Sequence, residues 1–424
     1  MPDAAEERET PQSIHWQVPF FSVWSSQALS LLGSSLVQFA LIWWLTERTG
    51  SATVLAMASL VGLLPQILIM PLAGALVDCW NRRRVMIVAD GLTALVSLCL
   101  VYLFIVGATQ PWHVLLGMML RAVAGAFHWL AMQASTSLMV PREQLSRVAG
   151  LNQTLSGAMN MVAPPLGALL LSFLPVQGVL LIDVATAVPA IAALAIVAIP
   201  SPRQGVVERM GSFAVLWREM RSGLAYAWAW PGLRAVILMA AAVNFLINPA
   251  FSMIPILVTK HFGGGVVQLG VLNSTWGVGV VLGGACLSTW GGFHRKVLTS
   301  LCGLAGMGLG LLVLGMAPAW AFGMGLVGLG LAGFMEPITD GPLFATIQSS
   351  ASPEMQGRVL SLMISLAKAT SPLSLAVAGP LADALGVRIW YWAAGLLCLL
   401  IAVGALFVPD VMRMEEQVHY PAPQ

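Results

Sequence analysis

Two carboxylates stand four residues apart in a long apolar segment of this chain, Glu336 and Asp340. In a helix this spacing places them on one face, and Pro337 and Gly341 loosen the backbone beside them. Two carboxylates this close repel each other, so one of them is expected to hold a proton and could carry it during function. Lys368, in the following apolar segment, is a possible partner. Pairing with it would instead make the group a static salt bridge.

The amino-acid composition indicates the environment in which these charged residues lie. Of the 424 residues, 58% are hydrophobic and only 9% are charged, whereas a soluble domain carries about 25% charged residues. So few charges cannot cover a water-exposed surface, which excludes a soluble protein. The apolar runs are continuous rather than alternating, and this favours membrane-spanning helices over a β-barrel. The net charge of +2 and the five scattered cysteines predict no nucleic-acid partner, no metal site and no cofactor.

Twelve apolar segments are separated by charges, prolines or glycine clusters, at about 18–46, 53–77, 85–107, 112–139, 147–173, 177–199, 233–259, 266–290, 297–317, 319–345, 357–381 and 388–408. We therefore predict an all-α membrane protein with twelve transmembrane helices in two six-helix bundles. Apolar residues at helical spacing between Phe213 and Leu224 predict an amphipathic interfacial helix in the middle linker. The predicted parts are a polar tail at 1–17, a first bundle at 18–199, the linker at 200–232, a second bundle at 233–408 and a second tail at 409–424.

The distribution of basic residues predicts the orientation in the membrane. Most of the twenty lysines and arginines fall in the tails, the linker and the connections on one side of the predicted bundles. Only Arg48, Lys260 and Arg388 fall in connections on the other side. Because basic residues concentrate on the cytoplasmic side, both termini are expected in the cytoplasm, with the chain in the inner (plasma) membrane.

A charge cluster follows the second apolar segment and runs from Gly74 through Asp78 to Arg82, Arg83 and Arg84. Gly74 permits a neighbouring helix to approach closely, and Asp78 lies four residues later on the same face. Its carboxylate could meet Arg82 or Arg83, or cap the N-terminus of another helix. Such a cytoplasmic cluster could latch the two bundles together and release as they rock. The alternative is a positively charged anchor with an incidental acid.

Three further ionisable side chains lie inside the predicted spans. Exposing the charged guanidinium of Arg121 to lipid would cost much free energy, so this side chain is expected to face the bundle interior or water. There it could keep a carboxylate ionised until substrate or a proton arrives, or it could form a purely structural pair between helices. Asp183 lies in the outer part of the sixth span, where solvent is expected to reach it, and with Arg121 and Lys368 it is a further candidate for proton coupling. Asp90 lies near the inner surface, and an ion pair with the run 82–84 is expected.

Polar and aromatic side chains of the spans could line a central cavity for an amphipathic molecule, because such sites combine apolar surface with a few polar groups. Most aromatic residues in a chain like this one face lipid or lie in interfacial belts. The candidates for the cavity are Gln27, Asn160, Asn244, Asn248 and Trp276.

The stretch from Gly74 to Arg83 resembles the signature of the major facilitator superfamily, although Cys79 and Asn81 depart from its basic residue and its glycine. Arg121, followed four residues later by a glycine, resembles an element of the proton-coupled exporters in this family. The fifth span resembles the family's antiporter element, with a proline where a glycine is usual, and this implies a bendable helix. The residues that carry this last match are Gly157, Pro164, Pro165 and Gly167.

Short stretches resemble one branch of the family, the macrolide-efflux and siderophore-exporter-like facilitators. They are Trp43–Ser51 at the end of the first span, Asp90, and Gly357–Val359. The resemblance implies a monomeric secondary transporter that exports a small amphipathic molecule, a macrolide-like drug or siderophore-like metabolite, in exchange for protons. The two bundles would rock about a site at the midplane of the lipid bilayer.

Other functions fit the sequence less well. The sequence carries no phosphate-binding Gly-x-x-x-x-Gly-Lys loop and no nucleophile elbow, so neither an ATP-driven pump nor an enzyme is expected. An uptake symporter or a lysophospholipid-handling facilitator of the same fold is the main alternative. A non-transporting membrane sensor or scaffold is a more remote one.

Overall fold

The computed structural model describes residues 16–141, 144–197, 199, 228–350 and 356–415. Within these ranges the protein is helical and contains no β-strand, so the predicted all-α membrane fold class is confirmed. The amphipathic helix predicted between Phe213 and Leu224 lies outside the described residues, as do most of the linker and of both tails.

The third helix of the first half begins and ends at residues with clear terminal signals. Asn81 caps the third helix, because its Oδ1 accepts the backbone N–H of Arg84 at 3.2 Å. Gly107 ends that helix with a φ of 73°, a conformation that glycine adopts without strain. The six helices are α1 (Gln17–Thr49), α2 (Ala52–Cys79), α3 (Arg82–Val106), α4 (Pro111–Met139), α5 (Leu145–Phe173) and α6 (Val176–Ile196).

The second half contains further long helices and several short ones. A three-residue turn at Ile254–Ile256 and a π-helical turn at Leu257–His261 follow its first helix. The helices are α7 (Pro231–Ser252), α8 (Val266–Trp290), α9 (Lys296–Met316), α10 (Phe322–Ser350), α11 (Gln356–Ala369), α12 (Ser371–Leu385), α13 (Arg388–Ala405) and α14 (Pro409–Met412).

One predicted span is interrupted. Among the described residues, eleven helices are long and apolar enough to cross a membrane. The continuous span predicted at 357–381 is instead divided at Thr370 into α11, with 14 residues, and α12, with 15. Pro372 lies in the first turn of α12 and has no backbone N–H for a continuous helix. The count of twelve spans and the location of the termini stay predictions.

The chain forms two compact units that do not coincide with its two halves. The second unit contains the adjoining ends of α1 and α2 and the C-terminal part of α5, together with the helices of the second half. Of the residues that the structure describes, the first unit takes those within 16–38, 65–160 and 175–199, and the second those within 39–64, 161–174 and 228–415.

Glycines bring three helices of the second unit into backbone contact. A Cβ on Gly310 of α9 would lie 2.5 Å from the carbonyl oxygen of Gly328 in α10. A Cβ on Gly308 of α9 would lie 2.7 Å from the carbonyl oxygen of Gly395 in α13. Small residues allow this close approach in membrane helices, where dispersion rather than the hydrophobic effect drives packing.

Candidate functional site

The most enclosed charges of the first unit lie where α1, α3, α4 and α6 meet. Arg121 Nη1 donates to Asp183 Oδ2 at 2.6 Å, and Ser97 Oγ donates to the same oxygen at 2.8 Å. Ser34 Oγ donates to Asp183 Oδ1 at 2.9 Å, and Arg121 also donates to Ser97 Oγ. Because each partner comes from a different helix, one carboxylate ties together four helices.

The prediction that solvent reaches Asp183 was wrong. The residue is only 1% exposed, because its carboxylate points toward Arg121 and the two hydroxyls. A buried carboxylate requires a countercharge and hydrogen-bond donors, and here the countercharge comes from 62 residues away in the chain. Arg121 therefore forms the interhelical pair considered from the sequence, and its part in proton coupling stays a prediction.

Asp90 lies in a second polar cluster of the first unit. Its Oδ2 accepts a hydrogen bond from Gln27 Nε2 at 3.1 Å, and its Oδ1 lies 3.4 Å from Nε2 of His128. The predicted ion pair between Asp90 and the arginines 82–84 is therefore wrong. Asp90 lies about two turns into α3 and is 8% exposed, so it points among α1 and α4 rather than toward the end of the helix.

Arg82 and Arg83 bind backbone carbonyls of neighbouring helices. Arg82 Nη1 donates to the carbonyl of Ala134 in α4 at 2.6 Å, and Arg83 donates to the carbonyls of Leu194 and Ala195 in α6. The last four carbonyls of a helix, which in α6 include those of Leu194 and Ala195, have no partner within the helix and carry partial negative charge that a guanidinium group compensates. These arginines therefore fasten the start of α3 to the ends of α4 and α6.

The latch predicted from the sequence pairs these arginines with Asp78, close to Gly74. Gly74 and Asp78 lie in α2, but their side-chain surroundings fall outside the described part of the structure. The cytoplasmic latch predicted from them stays a prediction.

The carboxylates of α10 have different surroundings. Oε2 of Glu336 is buried and has no hydrogen-bond partner among the residues that the structure describes. Asp340 is exposed and lines a cavity of about 130 Å³ together with Asn244 and Ser300. Lys368 of α11 attracts Asp340 electrostatically, but no ion pair of 4.0 Å or less joins them. The static salt bridge considered from the sequence is therefore not formed.

Polar groups join α7 to the break between α11 and α12. Asn248 Nδ2 donates to Ser371 Oγ at 2.7 Å, and Thr370 Oγ1 donates to the carbonyl of Ala241 at 3.1 Å. Ser374 Oγ donates to the carbonyl of Phe245. Asn248 thus supports the interrupted span, whereas Asn244, one turn earlier on α7, faces the cavity beside Asp340.

The remaining cavity and hinge candidates are scattered. Trp276 of α8 packs edge to face against Phe251 at 5.8 Å between ring centroids, and Asn160 of α5 is exposed. Pro164 and Pro165 lie inside α5, which continues through them as one helix. Gly157 has open space around it, whereas Gly167 packs closely on the ring of Phe39.

Sequence reasoning missed several residues that the structure brings to these clusters. Ser34, Ser97 and His128 complete the environments of the two buried acids, and nothing in their local sequence marks them. Asp383, at the end of α12, binds the first turn of α2. The run Ser51-Ala52-Thr53 before an apolar segment is a recognisable helix start, but it does not reveal its distant acid.

Comparisons with known proteins agree with this architecture. A family model described as Major Facilitator Superfamily matches residues 23–374. Macrolide efflux protein A of Streptococcus pyogenes is 32% identical over 401 residues, covering 95% of this chain and 98% of that protein. Multidrug efflux pump Tap of Mycolicibacterium fortuitum is 26% identical over 393 residues, which cover 90% of this chain and 94% of that protein.

Solved transporter structures share the fold. A bacterial homologue of the human lysosomal transporter Spinster, inward-facing and unoccupied, gives a TM-score of 0.67 at 13% identity, covering 97% of this chain and 100% of that one. An inward-facing bacterial homologue of the iron transporter ferroportin gives a TM-score of 0.62 at 17% identity, covering 91% of this chain and 98% of that one.

The resemblance to the macrolide-efflux branch is confirmed by the named relatives. With a family model spanning most of its length and a relative at 32% identity over nearly all of it, this multi-pass membrane transporter belongs to the major facilitator superfamily.

Proposed function

We propose that this transporter exports a small amphipathic molecule, a macrolide-like drug or siderophore-like metabolite, in exchange for protons. The relatives named as macrolide and multidrug efflux proteins support the direction and the substrate class. The observation that supports proton exchange is the buried Oε2 of Glu336, which has no hydrogen-bond partner among the described residues. An ionised carboxylate there would lack the compensation that a buried charge needs. Glu336 therefore holds a proton until its surroundings change.

In the proposed cycle the two bundles, 18–199 and 233–408, rock about a midplane site. Glu336 takes up a proton while the site is open to the outside and releases it while the site is open to the cytoplasm. Asp340 lies one turn away on the same face, so ionisation of either carboxylate disfavours ionisation of the other. The transporter acts as a monomer in the plasma membrane, with both termini in the cytoplasm.

Transport in inside-out membrane vesicles tests this proposal. With an acidic lumen, we expect a radiolabelled macrolide to accumulate inside, because protons leaving the lumen drive the exchange. A difference of one pH unit sustains an accumulation of about tenfold in a one-for-one exchange. Vesicles without the protein are the control. Accumulation that survives collapse of the pH gradient would contradict proton antiport. Proton-driven depletion of the lumen would indicate an uptake symporter, and transport of lysophospholipid alone would indicate the other alternative.

The cytoplasmic latch gives a second expected outcome. Asp78→Asn should remain in the membrane but slow macrolide transport about fivefold, because a lost helix-capping contact costs about 1 kcal/mol. Arg84→Gln is the matched control, since Arg84 belongs to the same cluster and its side chain is exposed. A wild-type rate for Asp78→Asn would show that the acid is incidental.

A further inference from the structure

The side chain of Asp383 caps the N-terminus of α2. Its Oδ1 accepts the backbone N–H of Ala52 at 2.7 Å. Its Oδ2 accepts the backbone N–H of Thr53 at 3.0 Å and the Thr53 hydroxyl at 2.7 Å, and the Ser51 hydroxyl donates to the same oxygen at 2.8 Å. The first N–H groups of a helix have no partner within the helix. Asp383 therefore supplies acceptors that α2 would otherwise lack.

The two helices also approach closely beside this cap. A Cβ on Gly379 would lie 2.6 Å from Cα of Thr53 and 3.1 Å from Cβ of Ala56. Gly379 is one turn before Asp383 on the same face of α12. The glycine thus allows the backbones to meet, and the acid joins them by directed hydrogen bonds. The part of α2 beside this cap, residues 52–64, belongs with α12 to the second compact unit, although α2 comes from the first half of the chain.

The surroundings of Asp383 keep it ionised at neutral pH. Burial raises the pKa of this carboxyl, but the hydrogen bonds from Thr53, Ala52 and Ser51 outweigh that effect and hold its pKa below the usual value for aspartate. A group with a lowered pKa stabilises the contact at higher pH and loses it as the pH falls through that lowered pKa. The contact is therefore insensitive to pH near neutrality and weakens only in acid, below about pH 4.

Neighbouring charges do not account for the cap. Residues 52–64 of α2 carry no charge, and Asp383 is the one charged residue in the sequence of α12. The charged side chains near this end of the helices are Glu47 and Arg48 at the end of α1, Arg388 at the start of α13, and Lys260 in the π-helical turn. Among the described residues none of them forms an ion pair of 4.0 Å or less with Asp383. The hydrogen bonds to the start of α2 are thus what positions the carboxylate.

We propose that Asp383 is an outer latch that joins α2 to α12 while the transporter is closed to the outside and releases α2 when that side opens. The inference rests on the proposed rocking of the two bundles and on the predicted orientation, which places the connection after α1 outside. The predicted cluster at Asp78 lies at the opposite end of α2. One helix would thus carry a latch at each end, and only one of the two would be closed at a time.

Distance measurements between paired spin labels test the latch in the full-length protein with its native cysteines replaced. One pair, Ala108 and Trp320, reports on the predicted outer side, and a second pair, Ser137 and His294, reports on the predicted inner side. For Asp383→Ala we expect the ratio of outward-open to outward-closed molecules to rise about fivefold, as for other lost helix caps. The outer distance should lengthen and the inner distance should shorten together.

Matched variants separate a latch from general loosening. Thr53→Val removes a donor and should shift both distances in the same way, whereas Thr53→Ser keeps the hydroxyl and should leave them unchanged. Gly379→Ala should also open the outer side, because its Cβ would meet α2. Glu47→Gln removes an exposed acid at the same end of α1 and should change nothing. Wild-type protein in acid should approach the Asp383→Ala distances, while Asp383→Ala itself should not respond.

Two results would overturn the proposal. Unchanged distances in Asp383→Ala and Thr53→Val would show that the contact does not bias the cycle. Equal broadening of the inner and outer distances would show that Asp383 only stabilises the fold. The outcome is independent of the substrate, because the labels report conformation. Shifted distances together with no macrolide transport would leave the latch intact and refute the proposed substrate.

Discussion

Replacing Asp183 by asparagine is expected to destabilise the protein by about 3–5 kcal/mol, because it leaves the guanidinium of Arg121 buried without a countercharge. The carboxylate also accepts from Ser34 and Ser97, so its loss weakens contacts to α1 and α3 as well. Thermal unfolding of the purified protein in detergent, followed by fluorescence-detected size exclusion, measures the change. Glu47→Gln, an exposed acid, is the control and should leave the unfolding temperature unchanged.

The double variant distinguishes a structural pair from a coupling group. Asp183→Asn together with Arg121→Gln should regain much of the lost stability, because no isolated charge then remains buried. If the restored protein still accumulates macrolide with the pH gradient, the pair is structural. If stability returns without coupled transport, the pair takes part in coupling. Full stability in Asp183→Asn alone would contradict the enclosed ion pair.

Glu336→Gln is expected to abolish accumulation driven by a pH gradient, reducing it from about tenfold to none for one pH unit. Glutamine resembles the protonated carboxyl in shape and charge, so the variant should behave as a carrier fixed in one protonation state. Exchange of labelled for unlabelled macrolide across the vesicle membrane requires no net proton movement and should persist. The ratio of exchange to accumulation therefore measures coupling separately from binding.

Asp340→Asn is the matched comparison for this prediction. Asp340 lies on the same helix face but is exposed and attracted by Lys368, so its ionised form is better compensated. We expect Asp340→Asn to retain more of the accumulation than Glu336→Gln. Undiminished accumulation in Glu336→Gln would contradict its role as the proton carrier.

The helices themselves were largely predictable, because lipid requires long uninterrupted apolar runs. The segment predicted at 266–290 coincides with α8, and the segment predicted at 112–139 nearly coincides with α4. The break at Thr370 was not predicted, although Pro372 is visible in the sequence. A proline inside an apolar run bends some helices and interrupts others, and the outcome depends on neighbours such as Asn248 that supply hydrogen bonds.

The polar clusters were less predictable than the helices that carry them. Arg121 and Asp183 were both singled out, but their pairing depends on how α4 and α6 pack. Asp383 is 330 residues from Thr53, and a single acid near a helix end gives no periodic signal. Asp90 was assigned to the nearest arginines in the sequence, whereas its helix face directs it to His128 and Gln27.

The backbone contacts of α9 with α10 and α13 have a mechanical consequence. Where Gly310 meets Gly328 and Gly308 meets Gly395, backbone atoms of the paired helices lie in direct contact, so a rotamer change cannot relieve the contact at these two points and let the helices slide. Sliding motions of packed helices depend on such small side-chain adjustments. These three helices, α9, α10 and α13, are therefore expected to move as one rigid body. Bending of the second unit is then expected outside these three helices. The break at Thr370 between α11 and α12 is one position where the backbone can bend while α9, α10 and α13 keep their arrangement.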